Sequence, residues 1–146
     1  MIKSLIVDDE RLARNELKKI LKEFPEIDIV DEAVNVQDAL EKIDLLQPQL
    51  IFLDIQMPGN KTGFDLLELV EYAPKVIFTT AYNEFAIKAF EFNALDYLLK
   101  PIETKRLAEA IQKVKKSMEQ DVSASKHTLS VGDQVFVKDG ERCWFV

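Results

Sequence analysis

Leu50-Ile51-Phe52-Leu53-Asp54 is a run of four apolar residues stopped by a carboxylate, and its surroundings decide how the chain folds. A short apolar run without polar alternation suits a strand covered on both faces, as in a parallel sheet. Pro48 precedes it, and a turn-rich stretch, 58–63, follows it. Beyond that, Phe64, Leu67 and Val70 recur at helical spacing and stop before Pro74. The unit is strand, turn, helix.

The unit repeats on both sides. Upstream, Leu5-Ile6-Val7 leads into Leu17, Ile20, Leu21 and Phe24 at helical spacing up to Pro25. The strand-like run 27–34 then leads into a stripe of Val36, Ala39, Leu40 and Ile43, with Asn35 as its N-cap. Downstream, the run 76–79 precedes a helix over 83–92, and the run 95–99 precedes a helix over 103–118 with Leu107, Ile111, Val114 and Met118 on one face. All five prolines fall at breaks in these patterns, where a missing N–H does least harm. Strands alternating with helices of about 10 to 15 residues imply right-handed crossovers, and therefore an α/β fold with a parallel sheet and helices on both faces.

Composition narrows the class further. The chain has 146 residues, a net charge of −7 and one cysteine, Cys143. A lone cysteine excludes an internal disulfide framework and points to a reducing compartment, the cytoplasm. No apolar run approaches the ~18 residues of a membrane span, and the start lacks the basic head and long apolar stretch of a signal peptide, so no membrane association is expected. The acidic balance argues against phosphate-backbone binding by the chain as it stands. Neither a G-x-x-x-x-G-K-[ST] loop nor a G-x-G-x-x-G turn is present, and His127 and Cys143 lack metal-ligand spacing. Nicotinamide enzymes and zinc hydrolases are disfavoured.

In open parallel sheets, ligands bind beyond the carboxyl ends of the strands. Those windows hold Asp8 and Asp9 after the first strand, Asp54 after the third, Thr80 after the fourth, and Lys100 followed by Pro101 after the fifth. Singly, each has an ordinary structural explanation: helix capping, loop entry or a solvated amine. Together they would crowd carboxylates into one crevice, where like charges repel unless a cation compensates. Oxygen ligands without His or Cys favour a hard ion, Mg2+. With Lys100 as a mobile positive charge and Thr80 as a donor, the inventory fits phosphoryl transfer, and Asp54 is the candidate acceptor.

Over residues 1–118 the chain resembles the receiver domain of two-component response regulators. The resemblance rests on Leu5-Ile6-Val7-Asp8-Asp9-Glu10, Phe52-Leu53-Asp54-Ile55-Gln56-Met57-Pro58, Thr79-Thr80-Ala81 and Asp96-Tyr97-Leu98-Leu99-Lys100-Pro101, in the family's order. It implies a flavodoxin-like, doubly wound, five-stranded parallel sheet of order 2-1-3-4-5 with five helices. By the same resemblance Asp54 is the phosphoacceptor for a phosphohistidine on a sensor histidine kinase. Mg2+ would be held by Asp8, Asp9, Asp54 and the backbone carbonyl of Gln56, and Lys100 would pair with Asp54 and then with its phosphate. Thr80 and Tyr97 would form the switch, linking the pocket to the face of the fourth helix, fifth strand and fifth helix. Such a protein assists its own phosphorylation and dephosphorylation without being an enzyme in the ordinary sense, and it forms a homodimer on activation. The Lys100-Pro101 bond is expected to be cis. One departure is a loop, Gly59-Asn60-Lys61-Thr62, one residue longer than the family's commonest form. Tyr82, just after Thr80, is a candidate for shading the pocket from water.

The last residues change period. The stretch 119–126 is polar and small and reads as a linker. In 127–146, Val135-Phe136-Val137 and Cys143-Trp144-Phe145-Val146 flank Asp139-Gly140, the signature of a C-terminal β-hairpin. This tail resembles the opening hairpin of LytTR-type DNA-binding domains. The resemblance implies a transcription regulator cut within its second domain, which would meet DNA through the missing remainder. The competing expectation is a constitutive interaction module that keeps the acidic pocket but is not switched by phosphorylation.

Overall fold

The computed structural model describes the backbone of residues 1–130 and the side chains of residues 1–120; the expected hairpin at 135–146 lies outside the described residues. Five strands, β1 (Ile2–Val7), β2 (Ile27–Ala33), β3 (Leu50–Asp54), β4 (Lys75–Thr80) and β5 (Asp96–Leu99), form one sheet of order β2-β1-β3-β4-β5. Every pairing is parallel. Between and after the strands run α1 (Arg11–Leu21), α2 (Val36–Leu46), α3 (Gly63–Leu69), α4 (Ala86–Glu91) and α5 (Thr104–Ser130). The order and the helix count among the described residues are those of the flavodoxin-like receiver fold. The chain divides into two compact units, and Met1–Ile111 is the one that carries the sheet.

The central strand explains why the apolar run at Leu50 was decisive. Leu50, Ile51, Phe52 and Leu53 are all inaccessible to solvent, as expected of a strand covered on both faces. Alternate residues divide between the faces. Leu5, Val7, Ile51, Leu53, Val76 and Phe78 join a cluster with residues of α2, α3 and α4, including Val36, Ile43, Phe64, Leu66 and Ala89. Ile6, Phe52, Ile77 and Leu98 are equally buried but lie outside that cluster, as do Leu17 and Leu21 of α1 and Leu107, Ala110 and Ile111 of α5. The sheet is thus covered on both sides.

Local sequence fixes the helix starts. The Asn35 side chain accepts from the Asp38 N–H at 2.7 Å, as its N-cap position requires. Thr62 and Asp65 form a reciprocal capping box at the start of α3. Two helices differ from the periodicity reading. The helix expected over 83–92 begins as a 3-10 turn (Asn83–Phe85), whose Phe85 N–H donates to the Tyr97 hydroxyl at 3.3 Å, and continues as the short α4. The helix expected to stop at Met118 continues to Ser130, so the stretch 119–126 read as a linker is helical. That stretch contains neither proline nor glycine, and nothing in its composition ends a helix. The Lys100-Pro101 peptide bond is cis.

Candidate functional site

Strand register assembles the site. Val7 lies beside Leu53, so Asp8 leaves β1 next to Asp54 at the end of β3. Asp54 pairs with Thr79, and Thr80 pairs with Leu99, which puts Lys100 just past the end of β5; its N–H donates to the Thr80 carbonyl at 2.8 Å. Four of the five search windows therefore open on one crevice, the exception being the edge strand β2.

The side chains converge as the sequence reading expected. One carboxylate oxygen from each of Asp8, Asp9 and Asp54 lies within 4.8 Å of the others. Asp8 and Asp54 are buried and Asp9 is exposed. The Lys100 ammonium donates to Asp8 Oδ2 at 2.7 Å and to Asp54 Oδ2 at 3.3 Å, with Glu10 Oε1 at 3.9 Å. Asp54 Oδ1 accepts from the Ile55 N–H at 2.7 Å, and Asp8 Oδ1 accepts from the Glu10 N–H at 2.9 Å.

One ammonium does not neutralise three carboxylates. Burial pushes the Asp54 carboxyl up and the Asp8 charge pushes it the same way; Lys100 and the Ile55 N–H oppose them, and the balance leaves it raised to about 6. For Lys100, burial alone would lower the pKa, but the hydrogen bond to Asp8 and the charges of Asp54 and Asp8 outweigh it and hold the ammonium above its ordinary value. The pocket is a place where a further positive charge is favoured. Its donors are all oxygens, which fits a hard divalent cation such as Mg2+ and not a soft one.

Four further residues were singled out from the sequence: Thr80, Tyr97, Tyr82 and Gln56. Thr80 is fully buried, and its hydroxyl oxygen accepts from the Tyr82 N–H at 3.3 Å. Tyr97 is partly buried; its hydroxyl donates to the Tyr82 carbonyl while accepting from the Phe85 N–H, so it ties the segment after β4 to β5. Tyr82 is 48% exposed, and its ring meets that of Phe85 edge-on at 6.4 Å between centroids. Gln56 is exposed and pairs with Thr62 in an isolated antiparallel bridge. The long loop between them turns through Gly59 and Asn60, both in the left-handed region at φ 81° and 60°. Gly63, which ends the loop, is a close approach: a Cβ there would stand 2.5 Å from the Asp54 carbonyl oxygen and 2.9 Å from Leu53 Cγ.

Arg14 was not legible in the sequence as a neighbour of the pocket. The Arg14 Nη1 donates to the Asp8 carbonyl at 2.9 Å, and its Nε donates to Glu32 of β2 at 2.9 Å. Finding it required knowing that β2 lies beside β1, a fact of strand order that no local pattern carries. Next to the pocket is a cleft of about 380 Å³ lined by Asp8 and Lys100 together with Ala13, Leu17 and Ile20 of α1 and Ile102.

Comparison with known proteins places this geometry in context. A family model for the response regulator receiver domain matches residues 4–112. Over 116 residues the chain is 47% identical to an uncharacterized response regulatory protein of Vibrio cholerae, covering 78% of this chain and 48% of that one. It is 40% identical over 136 residues to the sensory transduction protein LytT of Bacillus cereus, covering 91% of this chain and 54% of that protein. It is 46% identical over 126 residues to the transcriptional regulatory protein BtsR of Salmonella typhi, covering 84% and 52%. The chain thus spans about half the length of these relatives. Among solved structures, the response regulatory domain of mrkE from Klebsiella pneumoniae superposes with a TM-score of 0.74 at 34% identity, covering 82% of this chain and 99% of that one.

Proposed function

The chain belongs to the response regulator receiver family, and from that premise we propose that it is a phosphorylation-activated switch in which Asp54 is the phosphoacceptor. The observation that carries this reading is the convergence of Asp8, Asp9 and Asp54 with the Lys100 ammonium at the carboxyl ends of β1, β3 and β5. A carboxylate oxygen of Asp54 attacks the phosphorus of a phosphohistidine on a sensor histidine kinase. The P–N bond breaks, its electron pair stays on the imidazole, which takes up a proton, and an acyl phosphate forms on Asp54. Lys100 offers its ammonium to the charge arriving on the phosphoryl oxygens, and the Ile55 N–H holds the attacking carboxylate in orientation.

Mg2+ would be held by the carboxylates of Asp8, Asp9 and Asp54 and the Gln56 carbonyl. When bound, it neutralises charge on the transferred group. The cleft beside α1 offers the donor a partly apolar footing next to Lys100. The phosphoryl group and its cation bind one arrangement of the segment bearing Thr80 better than another, and Tyr97, tied to Tyr82 and Phe85, carries that preference toward α4. Ile87, Phe90 and Leu99, exposed by 79%, 83% and 45%, give a homodimer an apolar face on α4 and β5. Residues 1–118 form the receiver, 119–126 connect it to an output module, and 127–146 begin a LytTR-type domain whose remainder meets DNA in the cytoplasm.

The test is direct. Wild type and Asp54→Asn are incubated with Mg2+ and a small acyl-phosphate donor, and intact mass is measured. A single-phosphoryl gain in wild type alone is expected. No gain in wild type overturns the switch reading in favour of a constitutive module, and an equal gain in both overturns the acceptor assignment.

A further inference from the structure

Asp8 has every polar atom engaged. Its N–H donates to the Ala33 carbonyl at 3.0 Å, Oδ1 accepts from the Glu10 N–H at 2.9 Å, and Oδ2 accepts from Lys100 at 2.7 Å. The carbonyl accepts from Arg14 Nη1 at 2.9 Å. That last bond acts on the peptide joining Asp8 to Asp9, so it fixes the plane from which both carboxylates project. Arg14 is anchored in turn. Its Nε donates to Glu32 Oε1 at 2.9 Å, and Lys18 donates to Glu32 Oε2 at 2.7 Å. The Arg14 side chain is only 14% exposed, and it shares the Glu32 carboxylate with Lys18, so a positive charge remains beside the pocket together with the geometric tie.

We propose that Arg14 is a positioning residue that raises the divalent-cation affinity of the Asp8-Asp9-Asp54 pocket by locking the Asp8-Asp9 peptide to the β2 edge through Glu32. This rests on the metal reading of the pocket given above. The guanidinium suits the task because its fork presents donors in one rigid plane to two acceptors at once, the Asp8 carbonyl and the Glu32 carboxylate. A lysine ammonium is a single point on a flexible stem and does not reproduce both bonds in that geometry.

Charge and geometry make opposite forecasts, which renders the inference testable. Arg14 is a cation one helical turn from an acidic pocket; if it acted only by charge, its removal would tighten Mg2+ binding. If it acts by holding the peptide, removal weakens binding. The experiment is calorimetric titration of the full chain with MgCl2 alone, for wild type, Arg14→Gln and Arg14→Lys, with thermal midpoints recorded in chelator. The expected result is about a tenfold rise in the Mg2+ dissociation constant for Arg14→Gln, the scale on which losing a group that orients a metal ligand acts, and a smaller rise for Arg14→Lys. A merely structural tie between α1 and β2 would lower the midpoint and leave the affinity of the folded protein unchanged. Equal or tighter binding by Arg14→Gln, beside a wild type that binds, overturns this inference alone. If Arg14→Gln does not fold, Arg14→Lys decides, and wild-type affinity in that variant overturns the inference. A wild type that takes up no Mg2+ overturns the metal reading and this inference with it.

Discussion

Replacing Asp54 by asparagine should stabilise the metal-free protein at neutral and alkaline pH, although it removes a hydrogen-bonded group from the site. The reason is the buried carboxylate. Its pKa is raised from 3.8 to about 6, first by burial and then by Asp8, against the pull of Lys100 and the Ile55 N–H. At about 1.4 kcal/mol per pH unit, that displacement corresponds to about 3 kcal/mol by which folding favours the protonated carboxyl over the charged one. Because the folded-state pKa lies above the unfolded value, this group's favourable contribution is fully present below about pH 4, is lost as pH rises toward 6, and stays lost above it. Asparagine is neutral throughout and keeps an oxygen for the Ile55 N–H. Allowing for imperfect replacement of the protonated acid, the variant gains between about 1 and 3 kcal/mol over wild type at pH 8. Urea denaturation in chelator, repeated from pH 3.5 to 8, reads this directly. The variant's advantage should grow between pH 4 and 6 and then level off. An Asp54→Asn protein that is no more stable than wild type at pH 8, or an advantage independent of pH, would refute the reasoning. Added Mg2+ should erase the difference, since a ligand bound by the folded state alone stabilises the protein that binds it more tightly.

Three further outcomes test the supports of the pocket. Gly63→Ala should cost about 2 kcal/mol or more by urea titration, because the new methyl meets the Asp54 carbonyl and Leu53, neither of which is a flexible chain end. Asn35→Ala should lower the urea midpoint by an amount equal to about 1 kcal/mol with an unchanged slope, since it removes the N-cap of α2 without altering the exposed surface. Tyr97→Phe strips the acceptor from the Phe85 N–H and the donor from the Tyr82 carbonyl. Amide exchange at Phe85 should speed up while that of the β3 amides stays as in wild type, with a global cost of about 1 kcal/mol.

The parts of the fold that could be read from the chain were those governed by local pattern. Four apolar residues before Asp54, Asn35 ahead of its stripe, and prolines at the breaks each constrain a short segment independently of the rest. The helix over 83–92 was legible in its extent, but its opening 3-10 turn was not, because hydrophobic spacing does not separate the two hydrogen-bond patterns over so few residues. The extension of α5 to Ser130 was missed for a different reason. Polar, small residues suit a linker and a solvated helix alike, and periodicity is silent where no apolar face continues.

The candidate site divides in the same way. That Asp8, Asp9, Asp54, Thr80 and Lys100 stand at strand ends was determined by the sequence, since an apolar run and the first polar residue after it are adjacent in the chain. Their partnership followed from no local pattern and was implied only by the family resemblance. Lys100 and Asp8 are 92 positions apart and meet at 2.7 Å because β5 and β1 end on the same edge of one sheet. Arg14 reaches Glu32, and through it the β2 edge, because β2 is the neighbour of β1. The resemblance supplied the strand order, but which side chains meet was decided by the tertiary structure, because register and side-chain placement are cooperative properties of the whole sheet, whereas strand ends are properties of a few consecutive residues.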